Sequence, residues 1–155
     1  GLNRLFRNDP RFNGYFQSYK NMSQTHPVDV IAGSYMLMPL ALCRELGGWD
    51  ETYFFYGEDI DFCYRIRQAG YQIIYYPHVE VLHYKGASSG LRKESADIAK
   101  PPKETRVKVA KESVRAMKIF YRKFYRQQYP WIVTAVVLAG IQIRGWFRIL
   151  KHQLT

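Results

Sequence analysis

The sequence predicts an α/β fold in which short strands and short helices are followed by a basic amphipathic helical tail. Residues 28–33 and 71–76 are short β-branched and aromatic runs, and segments with helical spacing lie between them. From residue 103 onwards apolar residues recur near a helical period among many lysines and arginines. With 155 residues, 47% of them hydrophobic and 23% charged, the chain is large enough to bury a core.

The composition favours an anionic partner and a reducing compartment. A net charge of +10 suits nucleic acid, an acidic lipid surface or a phosphorylated substrate, and composition does not choose among them. Cys43 and Cys63 lie in apolar runs without metal-type spacing, so we expect buried free thiols rather than a disulfide. Residues 1–7 are polar and lack an apolar h-region, so we expect no cleavable signal peptide.

The first third of the chain predicts one helix between extended segments. Residues 1–27 have no sustained period and are expected to be irregular or short-helical. Residues 28–33 predict a buried strand that ends at a glycine, and residues 35–39 predict a second extended run that a proline ends. Residues 40–46 predict a helix, because helix-forming residues there stop at the pair Gly47-Gly48.

The middle third predicts a second helix and two further extended runs. Apolar residues at helical spacing indicate a helix over residues 59–69, which Gly70 closes. Residues 71–76 have strand composition and end at Pro77, and residues 79–83 form another short extended run.

The last third predicts a linker and then the helical tail. Residues 86–102 contain glycine, serine, lysine and a proline pair, which is typical of a loop or linker. Residues 103–128 predict a long basic helix that Pro130 interrupts.

Residues 131–143 form a strongly apolar run, but its thirteen residues fall short of the ~20 that a membrane-spanning helix needs. Basic and aromatic residues flank the run, so we expect it to lie in a membrane interface rather than to cross it. These flanking residues are Arg122, Lys123, Arg126, Trp131, Arg144, Trp146, Phe147, Arg148 and Lys151.

The first candidate for chemistry is a cluster of carboxylates, Glu58, Asp59 and Asp61, at the start of the second predicted helix. Acids packed this closely repel one another, and a chain so rich in basic residues has other ways to distribute them. Asp61 and Arg65 are four residues apart on one helical face, so an intrahelical ion pair is favoured over a direct catalytic role for Asp61.

Several short motifs of one known family occur here in the family's order. They are Gly48-Trp49-Asp50-Glu51, Tyr56-Gly57-Glu58-Asp59-Ile60-Asp61, Tyr64-Arg65, Ala69-Gly70-Tyr71 and residues 77–83. On these residues the sequence resembles the C-terminal catalytic half of family 2 glycosyltransferases, the inverting GT-A enzymes, and in particular their rhamnosyltransferase-like bacterial polysaccharide branch. The matching block runs from about residue 30 to residue 89.

The resemblance implies a fold and a division of the chain. Residues 1–90 would be the acceptor-side catalytic half of a GT-A domain, residues 91–103 a linker, and residues 104–155 a basic and apolar helical tail that associates with a membrane. In the family the aspartate of the Glu-Asp pair is the general base, which corresponds to Asp59 here. Glu58 would orient the acceptor or Asp59, and an equally good alternative is a solvated acid that caps the helix.

A divalent cation and its ligand also follow from the resemblance. The family places a metal-ligating histidine at the position of His83, where it supplements an Asp-x-Asp motif that holds Mg²⁺ or Mn²⁺ on the nucleotide diphosphate. Because imidazole is not a usual ligand of magnesium, manganese is the more credible ion.

The remaining site candidates would bind substrate. Trp49 would form the floor beneath an acceptor sugar, with a core aromatic as the alternative. Gly33 and Ser34 begin a segment that lies near the donor sugar in the family, although a tight turn would need the same glycine. The loop that begins at Lys85 would close over the diphosphate, and flexibility alone explains its composition equally well. Asp50 and Arg65 complete the expected substrate-binding set.

The sequence departs from the family in one large respect. A GT-A enzyme begins with a nucleotide-binding βαβ half that carries the Asp-x-Asp motif, and no such motif precedes Val30. We therefore expect the chain to belong to a longer protein and to show negligible transfer activity by itself.

Taken together, the resemblance implies a transferase that moves a sugar from a nucleotide-diphospho-sugar to a glycan or lipid-linked acceptor in bacterial polysaccharide synthesis. We expect it at the cytoplasmic face of the plasma membrane, bound peripherally to anionic lipid through residues 104–155. The alternatives are a noncatalytic basic module at the membrane surface and a nucleic-acid-binding module, suggested by basic and aromatic residues in 118–126. No recognised nucleic-acid-binding motif accompanies them, so we expect no nucleic-acid partner.

Overall fold

The structure, a computed structural model, describes residues 5–6, 8–13, 17, 19–83 and 102–154. In chain order its elements are α1 (Pro10–Asn13), β1 (His26–Val28), α2 (Leu40–Glu45), α3 (Glu58–Gln68), β2 (Ile73–Tyr75), α4 (Lys103–Phe124) and α5 (Trp131–Leu154). This is a mixed α/β arrangement with few strands.

The two strands form a small antiparallel sheet in which Val28 pairs with Ile73 and His26 pairs with Tyr75. The strand predicted for residues 28–33 is therefore wrong beyond its first residue. The reason is that the following backbone turns towards α3, where the Gly33 N–H donates to Asp59 and the Ile31 carbonyl accepts from the Cys63 thiol. Residues 79–83 are likewise not a strand, since they have no regular structure.

The core of this first part of the chain lies beneath α3. Phe62, Cys63 and Ile66 project from one face of the helix and are buried with Ile73 of the sheet. Partly buried hydrophobic residues surround them: Val28, Ile31, Met36, Met38, Cys43 and Leu46. The helical period of the apolar residues in α3 is thus confirmed, and both cysteines are free thiols, as expected.

Glycines set the ends of α2 and α3. Gly47 and Gly48 have φ of 75° and 67°, and the Gly48 N–H returns to the Cys43 carbonyl to close α2. Gly70, with φ of 86°, closes α3 in the same way, since the next amide donates to the Ile66 carbonyl. The predicted stops at these glycines are confirmed, because left-handed backbone costs glycine no Cβ clash.

The helices α4 and α5 form an antiparallel hairpin around Pro130. They pack closely at Gly145, where an added Cβ would overlap Cγ2 of the buried Val114. Polar side chains also join the two helices: Arg148 donates to Ser113, Lys118 donates to Gln142, and Tyr121 bonds to Thr134. The predicted break at Pro130 is confirmed, and α4 ends at Phe124 rather than at residue 128.

The helix α5 is longer than the apolar run that begins it. It continues without interruption for 24 residues, because its arginines are good helix formers and Arg148 is directed towards Ser113 of α4. Its length is roughly 36 Å, compared with about 30 Å for the hydrocarbon core of a bilayer. Among the described residues it is the helix long and apolar enough to cross a membrane, and almost none of it is buried. The apolar run of thirteen residues is thus the first part of a longer helix, and its expected attachment in the membrane interface stays a prediction.

Two expectations concern residues for which the structure gives no description. The linker predicted for residues 86–102 and the candidate Lys85 lie largely or wholly outside the described ranges. The division of the chain at residues 90 and 103 accordingly stays a prediction.

Gly145 should be the most size-sensitive position of the hairpin. We expect Gly145→Ala to lower the free energy of unfolding by about 1–3 kcal/mol, because the new methyl would overlap the side chain of Val114. Gly140→Ala is the matched control, since nothing lies within 4 Å of its Cβ position, and it should be neutral or stabilising by about 0.5–1 kcal/mol. Denaturant unfolding in detergent measures both variants. Equal effects of the two substitutions would contradict this packing.

Candidate functional site

Asp59 lies in the first turn of α3 with its carboxylate held by two backbone amides. The Gly33 N–H donates to Oδ2 at 3.2 Å, and the Ile60 N–H donates to Oδ1 at 2.8 Å. The side chain is half-buried, so each oxygen is oriented by the protein while part of the carboxylate stays accessible. A carboxylate in this state can accept a proton from a bound hydroxyl group.

Gly33 brings Asp59 and Trp49 to the same place. A Cβ at position 33 would lie 3.4 Å from Cβ of Asp59 and 3.6 Å from Cη2 of Trp49. The Trp49 ring packs against Phe62, with ring centroids 5.0 Å apart, yet 44% of the residue is exposed. An aromatic face therefore lies beside the carboxylate, and three candidates from far-apart motifs meet. Ser34 follows Gly33 in the chain and is exposed.

Glu58 has one carboxylate oxygen that is buried without a hydrogen-bond partner among the described residues. Its Oε2 has essentially no accessible surface and no hydrogen-bond partner among the described residues. Leaving a polar atom in that state costs about 1–3 kcal/mol, more when it is charged, so native proteins usually supply a partner. Because Oε2 has no accessible surface, a substrate hydroxyl would reach it only after a movement of the residues around it.

The backbone before these acids is in a strained conformation. Tyr56 and Gly57 both have positive φ, at 66° and 95°. For tyrosine this region costs on the order of 1–3 kcal/mol. At Gly57 a side chain would meet the Tyr53 ring at 3.0 Å and Ala116 of α4 at 3.2 Å, so glycine is required. The turn that presents Glu58 and Asp59 is thus fixed by its contact with α4.

Asp61 points away from this turn into a buried network of charges. Its side chain is fully buried and accepts from Arg65 Nε at 2.7 Å, Tyr53 Oη at 3.0 Å and Lys123 Nζ at 2.7 Å. The predicted ion pair with Arg65 is confirmed. Sequence reasoning missed Lys123 and Tyr53, because no local pattern relates a lysine in α4 to an acid in α3.

All three nitrogens of the Arg65 guanidinium donate hydrogen bonds within the protein. Besides Asp61, its terminal nitrogens donate to the Leu46 carbonyl at 2.5 Å and the Gly48 carbonyl at 2.7 Å. The group also lies 4.9 Å from the centre of the Phe62 ring. Arg65 therefore holds the chain that leads into Trp49, and a direct role in substrate binding stays a prediction.

Asp50 is the second acid bound by Lys123. Lys123 Nζ donates to its Oδ2 at 2.6 Å, and the hydroxyl and N–H of Thr52 donate to its Oδ1 at 2.6 and 3.0 Å. The lysine above all, and then Thr52, hold the pKa of Asp50 well below its usual range. Burial and the charge of Asp61 raise the pKa of Tyr53, so its phenol stays protonated and donates. For Asp50 too, substrate binding stays a prediction.

His83 is exposed and is the last residue of the described range 19–83. Within the described part of the chain no three His, Cys, Asp or Glu side chains come together in a way that could hold a metal ion. The residues at hand do not fit a metal site by themselves. His83 as a metal ligand remains a prediction.

The site thus combines an oriented carboxylate with an exposed indole face, so a proton acceptor lies beside a surface on which a ligand can rest. A family model described as glycosyl transferase family group 2 matches residues 7–154 of this sequence. The chain belongs to that family, whose GT-A members typically use a divalent cation. The mixed α/β architecture with few strands is consistent with part of a GT-A fold.

Curated relatives specify the branch. The chain is 38% identical over 84 residues to the N-acetylglucosaminyl-diphospho-decaprenol L-rhamnosyltransferase of two Mycobacterium tuberculosis strains, CDC 1551 / Oshkosh and H37Rv, covering 54% of this chain. It is 42% identical over 57 residues to rhamnosyltransferase WbbL of Escherichia coli K12, covering 37% of this chain. The matches span 27% and 22% of the relatives' lengths. No solved structure matches this chain.

The charge network should make one arginine of α3 far more important for stability than its neighbour. We expect Arg65→Met to lower the free energy of unfolding by about 3–5 kcal/mol, because it removes the charge that faces Oδ1 of the buried Asp61 and the donors to the Leu46 and Gly48 carbonyls. Arg67→Met should change it by about 1 kcal/mol or less, since Arg67 pairs with Asp29 at the surface. Denaturant titration of both variants gives the comparison, and similar losses would contradict the assigned network.

Proposed function

We propose that this chain carries the acceptor-side catalytic half of an inverting glycosyltransferase, which uses a nucleotide-diphospho-sugar as donor and Asp59 as general base. The observation that carries the proposal is the carboxylate of Asp59, fixed by the Gly33 N–H beside the exposed face of Trp49. Family membership and the names of the relatives support the class of reaction.

In the proposed reaction, the carboxylate of Asp59 takes the proton of an acceptor hydroxyl. The oxygen then attacks the anomeric carbon of the donor from the face opposite the diphosphate. The bond from that carbon to the diphosphate oxygen breaks, its electron pair leaves with the nucleoside diphosphate, and the configuration inverts. The proton passes from Asp59 to solvent at the end of the cycle.

Two neighbours of Asp59 would bind the acceptor. The indole of Trp49 presents an apolar face on which a sugar ring can rest, while its other contacts with Phe62 hold it still. Glu58, which directly precedes Asp59, would orient the acceptor or Asp59. Both residues would help to place the reacting hydroxyl near Asp59, which is the largest contribution that positioning residues make to such a reaction.

The expected cation, Mg²⁺ or Mn²⁺, would lie on the donor diphosphate. His83 is the one ligand that this chain is proposed to offer, and no step of the reaction above is assigned to the ion. The donor sugar is proposed to be rhamnose or a related hexose, in line with the relatives' names.

We further place this site at the cytoplasmic face of a bacterial membrane, with a lipid-linked acceptor. The mycobacterial relatives are named for a diphospho-decaprenol acceptor. The helix α5 supports the same class of substrate here, because its large hydrophobic residues are exposed to the surroundings and basic residues follow them. We propose attachment in the membrane interface rather than insertion, because α4 packs along α5 and its lysines and arginines would have to enter the bilayer with it.

The role of Asp59 can be tested by one substitution in the protein made from the complete gene. We expect Asp59→Asn to lower kcat by roughly 10²–10⁴-fold with little change in the donor KM, because the amide cannot accept the proton. Membranes are assayed with a panel of nucleotide sugars that includes a nucleoside-diphospho-rhamnose. Glu51→Gln, an exposed acid nearby, is the control and should keep wild-type turnover.

Undiminished turnover in Asp59→Asn would remove that residue from the mechanism. A wild-type protein that binds membranes but transfers no sugar from any donor would favour the noncatalytic membrane-surface module instead.

The attachment of α5 can be tested by a charge near the middle of its exposed apolar face. Ile143 is 57% exposed, and an apolar side chain in the membrane interface strengthens binding through its buried area, which an aspartate would lose. We expect Ile143→Asp to move protein from the membrane pellet to the supernatant at physiological salt, whereas Leu154→Asp at the helix end should stay in the pellet. An alkaline wash should release the unsubstituted protein, and its retention in the pellet would show insertion rather than interfacial attachment.

A further inference from the structure

We propose that Lys123 is a positioning residue for this reaction, because its ammonium joins the turn that carries Asp59 and the loop that carries Trp49 to the helical tail. The inference rests on the proposed role of Asp59 as general base. Through Lys123 the helical tail would contribute to the active site as well as to membrane attachment.

One ammonium group binds two carboxylates that are close in the chain to the residues of the proposed site. Lys123 Nζ lies 2.7 Å from Oδ2 of Asp61 and 2.6 Å from Oδ2 of Asp50. Asp61 is in the same helical turn as Asp59, and Asp50 directly follows Trp49. A shift of either carboxylate therefore moves the base or the acceptor floor.

The charges explain why a cation is needed at this point. Asp61 is fully buried, so water does not screen its repulsion of Asp50, and Arg65 occupies only its other oxygen. Without Lys123 the two acids would face each other across a gap with one uncompensated negative charge. The loop of Asp50, being at the surface, is the part that would move away.

The rest of α4 keeps Lys123 in place against the site. The ring of Tyr64 in α3 packs against Phe124 and Phe120, with centroids 4.3 and 5.5 Å away. Nearer the N-terminus of α4, Ala116 lies against Gly57 at the start of α3. The lysine is thus carried by a helix that already backs the strained turn before Asp59, and 32% of its side chain is exposed.

The test compares two lysines of α4 in the protein made from the complete gene. Lys123→Met keeps the length of the side chain and removes its charge. Lys118→Met is the matched control, because Lys118 donates to Gln142 of α5 and not to the acids. We expect kcat to fall roughly 10–100-fold in Lys123→Met, with the donor KM unchanged within about twofold, because the base and the acceptor move apart. Lys118→Met should keep wild-type kinetics.

Two further variants separate bridging from charge balance. Lys123→Arg keeps a cation and should recover most of kcat, since guanidinium can bind both carboxylates. Asp50→Asn combined with Lys123→Met removes one charge of each sign and restores neutrality without a bridge. This double variant should stay as slow as Lys123→Met, and recovery to wild-type kcat would overturn the proposal.

Amide hydrogen exchange gives a readout that does not depend on activity. In Lys123→Met we expect faster exchange at Gly33, whose N–H is held by Asp59, and at residues 48–52, with no change in the hairpin near Gly145. Faster exchange throughout the chain would show a general loss of stability and overturn a positioning role.

The two proposals can fail separately. If the wild-type protein transfers no sugar, the proposed function fails, while hydrogen exchange still decides whether Lys123 fixes the site. If the wild-type protein is active and Lys123→Met keeps its kcat, only the role of Lys123 is overturned.

Discussion

The interaction on which the described structure depends most is the set of opposite charges formed by Asp50, Asp61, Arg65 and Lys123. Two acids and two bases neutralise one another, and Asp61 at their centre is fully buried. Breaking a buried ion pair on one side costs far more than an exposed pair contributes, so each member is tied to its partners. Because the four residues come from the loop after α2, from α3 and from α4, their pairing sets how these three segments meet.

The site proposed for chemistry lies on the other side of the same helical turn. Asp59 is oriented by the Gly33 amide rather than by a charge, which leaves its carboxylate free of ion pairs among the described residues. Asp61 thus holds segments of the chain together through the charge network, whereas Asp59 is left to accept a proton. The close packing of Gly57 against Ala116 extends this support to the turn itself.

The hairpin of α4 and α5 connects this arrangement to the surroundings of the protein. One side of α4 packs against α3, while α5 presents large exposed hydrophobic residues such as Trp131 and Phe147. If α5 lies in the membrane interface as proposed, the hairpin fixes the distance between the membrane surface and Asp59. A lipid-linked acceptor would then reach the base at a height set by α4.

The sequence by itself determined the local features: the helix α3, the stops at Gly47 and Gly70, the break at Pro130, and the Asp61–Arg65 pair. These depend on residues within about one helical turn of each other, whose geometry follows from the backbone alone. Asp59, in contrast, was identified through the resemblance of its motif to that of family 2 glycosyltransferases.

Only the tertiary structure decided which acids Gly33 and Lys123 contact, and how long α5 is. The Gly33 amide meets an acid 26 positions further along the chain, and Lys123 meets one 62 positions before it. No spacing rule covers such separations, because they depend on which faces of the segments pack together. For the same reason the strand predicted beyond Val28 failed, since its hydrogen-bonding groups turned to α3 instead of a neighbouring strand.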